Sequence, residues 1–540
     1  MLPFEKRFLA LTLAVAGSLL LAVLALWQPA WRGLALAGMA VTLSLSLLGI
    51  RDLLQTRHSV LRNYPIIGHL RFLLEDIRPE IRQYFFEDDK SGMPFPRDKR
   101  AIVYQRAKHQ LDKRPFGTHY NVYDDNFEWL HHSIAPKPEA TEGFRLTIGG
   151  PDCSKPYDAS VFNISAMSFG ALSSSAIRAL NRGARIGGFA HDTGEGGVSP
   201  YHREGGGDLI WEIGSGYFGC RAADGSFDSQ LFATAAADPQ IKMIEVKLSQ
   251  GAKPGHGGVL PKAKITPEIA AIRGVPMDRD CVSPACHSAF SNPVGLLEFL
   301  DRLRALSGGK PVGFKLCIGH PWEFLGIVKA MVETGLRPDF IVIDGKEGGT
   351  GAAPLEFMDH LGMPMRDGLS FAHAALVGAN LRDGIRLGCA GKIISGFDMA
   401  RVMALGADWC NAARGFMFAV GCIQAQHCHT GACPTGVATQ DPMRQRALDV
   451  PDKAERVARF HQDTVNSLAE IIAAAGLDTP RQLRPHHIMR RGADGRIHSF
   501  SQIYPSLLPG ELLSGARGTL FEEPWKLASS SRFAAVPEGV

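Results

Sequence analysis

The stretch VGFKLCIGHPWEFLGIVKAMVETGLRPDFIVID, residues 312–344, decides the fold of this 540-residue chain. Its two short apolar runs predict buried strands over Val312–Cys317 and Phe340–Asp344. The segment between them, Pro321–Thr334, has helical periodicity and predicts a helix. Two strands joined by a helix in this way pair in parallel through a right-handed crossover. The stretch therefore predicts one β–α–β unit of a parallel sheet.

Strand and helix patterns alternate in the same way from about residue 160 to residue 412. The further candidate strands are Val161–Met167, Phe189–Asp192, Met243–Leu248, Val282–Pro284, Ile385–Ala390 and Trp409–Ala412, and the further candidate helices are Ser174–Ile186, Pro293–Leu306 and Gly396–Leu405. Eight strands over about 250 residues are typical of a (β/α)8 barrel. An open doubly wound sheet is the alternative, but the Gly-x-Gly-x-x-Gly turn after a first strand is missing. We therefore predict an α/β fold built on a (β/α)8 TIM barrel.

The first fifty residues differ in kind from the rest of the chain. Phe8–Trp27 is apolar and uncharged over a length that spans about 30 Å as a helix, and a second apolar run covers Leu34–Ile50. A cleaved signal peptide would have a shorter apolar region and no second run. The flanking basic residues are Lys6, Arg7, Arg51, Arg57 and Arg62, with only Arg32 between the runs. The positive-inside tendency then predicts a transmembrane hairpin in the inner (cytoplasmic) membrane, with the catalytic domain facing the cytoplasm.

Composition and charge limit the other regions and the partners. We predict four regions: the transmembrane hairpin over 1–52, an adaptor over 53–150, the barrel with its cysteine loop over 151–442, and a helical C-terminal extension over 443–540. A net charge of +4 is small for this length, so we expect no nucleic-acid partner. Ten cysteines are too few for a disulfide scaffold, and the seven that are scattered along the chain suit a reducing compartment.

Glycine-rich polar turns follow nearly every candidate strand. Four of them cover residues 168–170, 194–197, 250–255 and 345–351. In a barrel these turns gather on the face formed by the carboxyl ends of the strands, where barrel enzymes place their chemistry. The segments at 390–396 and 412–415 follow the last two strands and expose backbone N–H groups, which suits a phosphate-bearing cofactor.

Three cysteines lie close together in GCIQAQHCHTGACPTGVATQ, residues 421–440. Cys422, Cys428 and Cys433 have C-x5-C-x4-C spacing, with glycines that permit tight turns. Thiolates at such spacing can hold an iron–sulfur cluster. Three unrelated buried thiols, or a zinc site completed by His427 or His429, are the alternatives. The pattern favours an iron–sulfur cluster a few residues after the last predicted strand.

Three motifs together resemble a known family. GAKPGHGGVLP (251–261), DGKEGGTGAAP (344–354) and the cysteine run resemble the FMN-binding synthase domain of glutamate synthase large subunits, from about Phe162 to Pro442. The two apolar runs followed by RNYPIIGH (62–69) resemble a membrane-tethered bacterial subgroup. The resemblance implies a barrel that binds FMN and a [3Fe-4S] cluster on Cys422, Cys428 and Cys433. The implied reaction is reductive amination, in which ammonia condenses with 2-oxoglutarate and the reduced flavin delivers hydride to the imine.

The resemblance also assigns roles to individual positions. The cofactor-binding positions are Ala166, Met167 and Ser168 along the flavin, Lys247 and Gln250 at its polar edge, Lys315 at its anionic side, and Gly348, Gly349, Thr350, Gly351, Gly391 and Gly415 beside the ribityl chain and phosphate. Lys253 and Arg273 match the cations that hold the keto-acid carboxylates, and Glu195 matches an acidic residue suited to proton transfer. The alternatives are that Lys247 and Lys315 are buried lysines paired with carboxylates, and that Glu195 is a surface turn residue.

The chain also departs from the family pattern. His256 replaces a glutamate and Val259 replaces a glutamine that contacts the substrate in the family, which puts 2-oxoglutarate itself in question. The segment Asp344–Glu347 also differs from the family's Gly-His-Asp stretch. Residues 2–50 form the apolar runs in place of an amidotransferase domain, so we expect the ammonia to be free or supplied by a partner.

These departures leave several functions open. No pyridine-nucleotide site is recognisable, so we expect a separate electron donor: a reductase, a ferredoxin or a quinone-linked protein. One alternative to glutamate synthesis is an FMN and iron–sulfur oxidoreductase that acts on a different amino acid or amine and is coupled to a membrane electron carrier. Another is a non-catalytic redox sensor or scaffold anchored in the membrane.

Overall fold

The computed structural model describes residues 5–140 and 143–537. Within them the chain forms two compact units, one ending at Pro94 and the other beginning at Phe95. The predicted region boundaries at 52, 150 and 442 stay predictions, and the outermost residues of the predicted hairpin and extension lie outside the described ranges.

The first unit begins with a helical hairpin. Helices α1 (Leu9–Trp27) and α2 (Arg32–Leu54) pack side by side, and together with their flanking turns both are long and apolar enough to cross a membrane. Small residues let the helices approach closely, as in other apolar helix pairs. A Cβ on Gly17 would lie 3.3 Å from the Thr42 side chain, and the Ser18 hydroxyl donates to the Thr42 hydroxyl at 3.0 Å. The hairpin thus matches the predicted one in its two helices.

Short helices follow the hairpin in the first unit. They are α3 (Ser59–Asn63), α4 (Gly68–Asp76) and α5 (Arg78–Ile81), and a π-type turn covers Arg82–Phe86.

The second unit contains the barrel. Its strands are β1 (Glu128–Leu130), β2 (Arg145–Ile148), β3 (Tyr157–Ser160), β4 (Phe162–Ile164), β5 (His191–Asp192), β6 (Leu209–Ile213), β7 (Ile241–Lys247), β8 (Val259–Leu260), β9 (Cys281–Val282), β10 (Val312–Leu316), β11 (Phe340–Asp344), β12 (Arg386–Ala390), β13 (Trp409–Ala412), β14 (Ile488–Arg491) and β15 (Ile497–Ser499). Its helices are α6 (Arg97–Ala107), α7 (Ser174–Gly187), α8 (Pro200–Glu204), α9 (Ser229–Ala236), α10 (Pro267–Arg273), α11 (Pro293–Leu306), α12 (Pro321–Thr334), α13 (Leu355–His360), α14 (Met365–Gly378), α15 (Gly396–Ala404), α16 (Arg414–Ala419), α17 (Pro442–Arg446), α18 (Val450–Ala474), α19 (Phe500–Ile503) and α20 (Glu522–Leu527).

Eight of these strands close into a parallel barrel in the order β4, β5, β6, β7, β10, β11, β12, β13, with β13 pairing back to β4. The predicted (β/α)8 barrel is therefore confirmed. Most of the barrel strands are buried along their whole length, which explains why they read as continuous apolar runs. Helices such as α7, α11, α12 and α14 follow strands as the crossovers require, and α11 and α12 have the predicted bounds.

One predicted barrel strand is wrong. Cys281–Val282 pairs antiparallel with Val259–Leu260 in a two-stranded ribbon outside the barrel. The third barrel strand is instead Leu209–Ile213, whose five residues are all buried. Glu212, the fourth residue of that strand, interrupts its apolar run. The Glu212 carboxylate contacts the Lys315 ammonium inside the barrel. The segment 282–284 belongs to the long excursion between β7 and β10.

Additional elements cover the outside of the barrel. The β2–β3 hairpin leads into β4, and the Gly150 amide in that hairpin donates to the Asp339 carboxylate at 2.6 Å. The long helix α18 packs on α7, where a Cβ on Gly183 would lie 2.5 Å from the Val457 side chain. The predicted helical extension also contains β14 and β15, which pair with each other, and β14 pairs with β1.

Candidate functional site

The site lies at the carboxyl ends of the barrel strands, where the glycine turns meet. A cleft of about 300 Å³, including its open mouth, lies between the turns after β5 and β7 and the excursion that follows β7. The residues that line it are Glu195, Ser215, Lys247, Leu248, Ser249, Gln250, Gly255, His256, Gly257, Gly258, Pro284 and Ala285. Three of the predicted site residues, Glu195, Lys247 and Gln250, are therefore neighbours in space.

A chain of polar contacts joins three turns across this mouth. The Glu195 carboxylate pairs with the Lys247 ammonium at 3.1 Å. The Lys247 ammonium also donates to the Gln250 side-chain oxygen at 3.1 Å, and the Gln250 amide nitrogen donates to the Gly349 carbonyl at 3.1 Å. These contacts fix the orientation of the turns at 194–197, 250–255 and 348–351 relative to one another.

Glu195 is a charged residue in a cationic environment. Burial alone would raise the pKa of Glu195, but the Lys247 and Lys253 ammonium groups outweigh burial and hold that pKa below its usual value. Burial lowers the pKa of Lys253, and Glu195 opposes that shift. The carboxylate is therefore ionised at neutral pH, and the alternative of an ordinary surface turn residue does not fit its surroundings.

Lys253 and Arg273 are both buried cations beside the same turns. The Lys253 ammonium donates to the Ala352 carbonyl at 3.4 Å. The Arg273 guanidinium donates to the Phe169 carbonyl at 3.2 Å and lies 5.3 Å from the centre of the Phe218 ring. Its Nε atom is buried and has no hydrogen-bond partner within the described part of the chain. Neither cation forms a close ion pair among the described residues, so both retain capacity for an anionic group.

The turn after β4 carries three of the predicted flavin contacts. Met167 is buried, whereas Ala166 and Ser168 are partly exposed. The Met167 amide donates to the Asp192 carbonyl at 3.2 Å, and the Met167 carbonyl lies 3.2 Å from the His202 ring nitrogen. The backbone of this turn is thus held rigidly at the mouth.

Lys315 lies inside the barrel in a group of acidic residues from the three preceding strands. Its ammonium contacts the Glu212 carboxylate, lies 2.9 Å from that of Glu245 and lies 3.7 Å from that of Asp192. Burial lowers the pKa of Lys315, but the three carboxylates outweigh it and raise that pKa well above its usual value. Burial raises the pKa of Asp192 well above its usual value, against the attraction of Lys315. The alternative of a lysine paired with carboxylates describes Lys315 as it stands, and its contact with a flavin stays a prediction.

The ends of the last two strands carry two cations that the sequence interpretation did not select. Lys392 follows β12, and Arg414 follows β13. Both lie over the Phe95 ring, at 5.9 Å and 4.7 Å from its centre. Burial lowers the pKa of Arg414 to about 10, and burial together with Arg414 lowers that of Lys392. A basic residue two positions after the end of each of these strands is the sequence signal that could have identified Lys392 and Arg414.

The neighbouring glycines leave room that a side chain would fill. A Cβ on Gly349 would lie 2.8 Å from Arg414 Nε, and a Cβ on Gly391 would lie 2.9 Å from the Met365 side chain. Gly348 is turned back so that its amide donates to the Gly345 carbonyl at 2.8 Å, and the Thr350 hydroxyl donates to the Ala352 carbonyl at 3.4 Å. Gly415 lies in the first turn of α16, and a Cβ on Gly351 would meet nothing within 4 Å. Two cations beside a glycine cradle fit a phosphate group.

The cysteine loop is bonded to the turn after β4. The Gln440 amide nitrogen donates to the carbonyls of Gly170 and Leu172 at 3.1 and 3.0 Å. The Lys264 ammonium bridges the Ala171 and Cys428 carbonyls at 3.1 and 2.9 Å. The loop therefore lies beside the turn that carries Ser168.

The three thiols lie within one another's electrostatic field. Burial raises the pKa of Cys422 to about 12, and Cys428 and Cys433 add to that shift. Burial also raises the pKa of Cys428, with a contribution from Cys433. For Cys433 the hydrogen bonds from Thr435 and from nearby backbone amides outweigh burial and lower the pKa. A thiol surrounded by amides in this way is suited to bind metal as the thiolate.

Among the described residues, the group whose ligand atoms all lie within 4.8 Å of one another is Asp192, Glu212 and Glu245, and not the three cysteines. The choice between an iron–sulfur cluster, a zinc site and unrelated thiols stays a prediction.

Several known proteins are similar to this chain. A protein-family profile described as "Conserved region in glutamate synthase" matches residues 152–478, more than half of the chain. The chain is 38% identical over 489 residues to the glutamate synthase large subunit-like protein YerD of Bacillus subtilis, and the match covers 83% of this chain and 93% of that protein. It is 34% identical over 328 residues to the archaeal-type glutamate synthase [NADPH] of Thermotoga neapolitana, and the match covers 61% of each chain.

Further matches cover less of this chain than the match to YerD does. The chain spans about three fifths of the length of several archaeal and archaeal-type glutamate synthases, among them that of Methanocaldococcus jannaschii at 34% identity. Among solved structures, a mandelate oxidase variant matches with a TM-score of 0.39 and 15% identity, over 72% of this chain and 88% of that one. Two findings decide the assignment. The family profile matches more than half of this chain, and the Bacillus subtilis relative is matched over 93% of its own length. The chain belongs to the glutamate synthase family.

Proposed function

We propose that this protein is a membrane-tethered, glutamate-synthase-like oxidoreductase that binds FMN at the barrel mouth and a [3Fe-4S] cluster on Cys422, Cys428 and Cys433. Membership of the family supports an oxidoreductase activity. One observation carries the proposal: the loop with the three cysteines is hydrogen-bonded to the turn at 166–172. A bound flavin and a bound cluster would then occupy neighbouring places.

The residues at the mouth fit FMN. Lys392 and Arg414 would hold the phosphate, with Gly348–Gly351, Gly391 and Gly415 leaving room for the phosphate and ribityl chain. Ala166, Met167 and Ser168 would line the ring system, and Lys247 and Gln250 would contact its polar edge. Lys315 lies inside the barrel, where its ammonium pairs with three carboxylates, and we assign it to the anionic side of the ring. Bound FMN would supply hydride to the substrate once it is reduced.

The residues of the cleft, together with two buried cations near it, fit a keto acid and its imine. Lys253 and Arg273 would bind the carboxylates, because both are buried cations with capacity for an anion. The ionised Glu195 carboxylate would accept a proton from ammonia or an amine as it attacks the keto carbon, and would return it when water leaves. The Lys247 ammonium, 3.1 Å from Glu195, would keep that carboxylate ionised until it accepts the proton. The co-substrates in this proposal are 2-oxoglutarate or a similar keto acid, and ammonia.

Electrons would reach the flavin through the cluster from a separate donor. A reductase subunit, a ferredoxin and a quinone-linked protein are the candidate classes. The membrane hairpin places the protein at the cytoplasmic membrane in this proposal, with the barrel in the cytoplasm, because the basic residues flank the two apolar helices on one side.

One anaerobic preparation tests the proposal. We expect released FMN, three irons per chain and an EPR signal from the oxidised cluster. Stopped-flow mixing of the reduced protein with 2-oxoglutarate and ammonia should reoxidise the flavin. Absence of flavin after denaturation would contradict the cofactor assignment. Reduced flavin that no keto acid with ammonia reoxidises, together with oxidised flavin that no amine reduces, would favour the non-catalytic sensor or scaffold instead.

A second candidate substrate class is favoured by two residues of the cleft region. His256 lines the cleft, and its ring nitrogen bonds to the Gly257 carbonyl at 2.9 Å. Val259 lies at the start of the β8–β9 ribbon, next to Gly258, where the family has a glutamine. An apolar side chain offers no hydrogen bond to a polar substrate group. We infer that an oxidoreductase acting on a different amino acid or amine, coupled to a membrane electron carrier, is the alternative, and a screen of keto acids by flavin reoxidation separates the two.

A further inference from the structure

An exposed apolar stripe runs along the helical segment that follows the hairpin. Backbone hydrogen bonds from Ile77 to Leu73 and from Ile81 to Ile77 join α4 and α5 into one continuous helix, which ends in the π-type turn. The stripe consists of Ile67, Leu70, Leu73, Leu74, Ile77, Tyr84 and Phe85, with Phe86 beside it. These side chains retain between 41% and 81% of their full exposure.

The spacing of the stripe is that of a helix with one apolar face. Its positions recur at intervals of three and four residues, which places them on one side of a helix. In a soluble unit such a face packs against the rest of the protein, and a contiguous exposed apolar patch marks a site of interaction. Each residue of the stripe is exposed. The rest of the first unit therefore does not cover the stripe.

The beginning of this segment is attached firmly to the end of α2. Asp52, in the last turn of α2, is buried and accepts hydrogen bonds at 3.0 Å from the Ile66 amide and from the His69 ring. A Cβ on Gly49 would lie 3.1 Å from the Ile66 side chain, and one on Gly68 would lie 2.9 Å from that of Leu61. The stripe therefore starts within contact distance of the end of the second apolar helix.

The charges beside the stripe fit a bilayer interface. Arg71, Arg78 and Arg82 lie along one border of the stripe at a rotation of about 100° per residue. Arginines at such a border can bury their stems and keep their guanidinium groups in water. The segment 67–86 carries three arginines and three acidic residues, Glu75, Asp76 and Glu80, so its formal charges balance. Burial of apolar side chains, and not attraction to anionic lipid, would drive its binding.

We propose that this stripe is a membrane-interface helix, with its apolar face buried among the lipids of the bilayer that the hairpin crosses. The proposal rests on the membrane tether proposed above and adds a second, in-plane contact to it. The Asp52 contacts hold the start of the stripe at the end of the second apolar helix, and this attachment selects lipid over a second copy of the chain as the occupant. Because the formal charges of the segment 67–86 balance, the proposed contact does not require anionic lipid.

Site-specific photocrosslinking of the full chain in phosphatidylcholine nanodiscs tests the proposal. Benzoylphenylalanine replaces Leu74 or Phe85 in the stripe, and Asp76 on the opposite side of the same helix serves as the matched control. Leu20, an exposed residue in the middle of α1, reports on the hairpin itself. We expect lipid adducts at Leu74 and Phe85 to exceed those at Asp76 at least fivefold in peptide mass spectra, and adducts at Leu20 as well.

The outcomes distinguish this inference from the tether on which it rests. Adducts at Leu20 without adducts at Leu74 and Phe85 overturn the inference and leave the tether intact. Adducts at the stripe positions without any at Leu20 support an interface helix and reject the spanning hairpin. Protein–protein crosslinks from Leu74 or Phe85 to a second copy, in place of lipid adducts, overturn the inference. Equal adducts at Leu74, Phe85 and Asp76 overturn it too.

Discussion

At the scale of single residues, the position of Glu195 depends on a neighbour without a side chain. A Cβ on Gly258 would lie 1.9 Å from a Glu195 carboxylate oxygen. No atom can occupy that place while the carboxylate stays 3.1 Å from the Lys247 ammonium. Gly258 is the last residue of the GAKPGHGG motif, so the sequence identifies it as part of a glycine turn. Its contact with Glu195 cannot be read from the sequence, because the two residues are 63 positions apart.

Replacing Gly258 by alanine should therefore displace Glu195. We expect Gly258→Ala to lower kcat at least tenfold while the protein keeps its flavin, because the ion pair with Lys247 is broken and the binding cations are not touched. Gly319→Ala is the matched control, since a Cβ there would meet nothing within 4 Å. Flavin reoxidation by keto acid and ammonia, with flavin content measured in parallel, checks the prediction. Equal kcat values for the two variants would contradict the assigned role of Glu195.

Removing the Lys315 charge should destabilise the barrel. Lys315→Met leaves the buried carboxylates of Glu212, Glu245 and Asp192 without their cation. Breaking a buried ion pair on one side costs about 3–5 kcal/mol. We expect a loss of that size in the free energy of unfolding of the barrel, measured by urea denaturation.

A lysine on a neighbouring strand provides the control for this change. Lys242 lies on β7 and pairs with Asp208 at 3.7 Å, with both side chains about a third exposed. Lys242→Met should change the free energy of unfolding by no more than about 1 kcal/mol. Similar losses for both lysines would show that the buried cluster has no special energetic role.

Lys264 should raise the reduction potential of the cluster. Its ammonium donates to the Cys428 carbonyl at 2.9 Å, so a positive charge lies beside the place where an electron would arrive. We expect Lys264→Met to lower the midpoint potential on the order of 59 mV, which is a tenfold change for one electron. EPR-monitored redox titration checks this. The exposed Lys262, two residues away, is the control, and Lys262→Met should leave the potential unchanged.

At the scale of elements, one carboxylate connects α6 with the start of α15. Asp398 accepts from Lys99 at 3.0 Å, from Arg401 at 2.6 Å and from the Ser395 amide at 3.0 Å. Burial alone would raise the pKa of Asp398, but Lys99 and Arg401 outweigh it and hold the pKa well below its usual value. Such a group stabilises the fold fully above its unfolded pKa of about 3.9, and the stabilisation is lost as the pH falls towards the folded pKa.

The pH dependence of unfolding should show this contact. We expect Asp398→Asn to lower the free energy of unfolding at pH 6 by about 3–5 kcal/mol, since it uncharges one side of a buried ion pair. The difference from the unchanged protein should shrink as the pH falls from 5 to 3. Asp452, which pairs with Lys453 at an exposed site, is the control. A difference that is constant over this pH range would contradict the assignment.

The elements also show which patterns can be read correctly. The strand–helix–strand unit over 312–344 is observed almost as predicted, because its strands are apolar without interruption and its helix has the expected period. The strand Leu209–Ile213 was not predicted, because the charged residue Glu212 interrupts its apolar run. Because this strand was missed, the pairing of Glu212 with Lys315 was not predicted either. The two side chains meet only inside the closed barrel.

At the scale of the whole molecule, the cluster and the hairpin should be separable. Cys428→Ser removes one of the three proposed ligands, so we expect the iron content and the EPR signal to be lost. The two apolar helices do not depend on that residue, so the protein should remain in the membrane fraction after carbonate washing. Cys286, an exposed cysteine outside the loop, is the control, and Cys286→Ser should keep the signal. A surviving signal in the Cys428 variant would refute the ligand assignment.

The sequence by itself determined the repeating β–α architecture, the apolar hairpin and the residue types at the mouth. These are local properties: the period of apolar positions, the length of apolar runs and the chemistry of glycine turns are all read within a few residues. The cysteine loop and the turns at 194–197, 250–255 and 348–351 were recognised for the same reason.

Only the tertiary structure decided which of these residues meet. In the closed barrel Lys392 and Arg414 both lie over the Phe95 ring, and Lys315 pairs with three carboxylates. The cysteine loop is hydrogen-bonded to the turn after β4. Each of these contacts joins residues far apart in the chain. Their partners depend on strand order, register and the direction of each side chain, which no local pattern records.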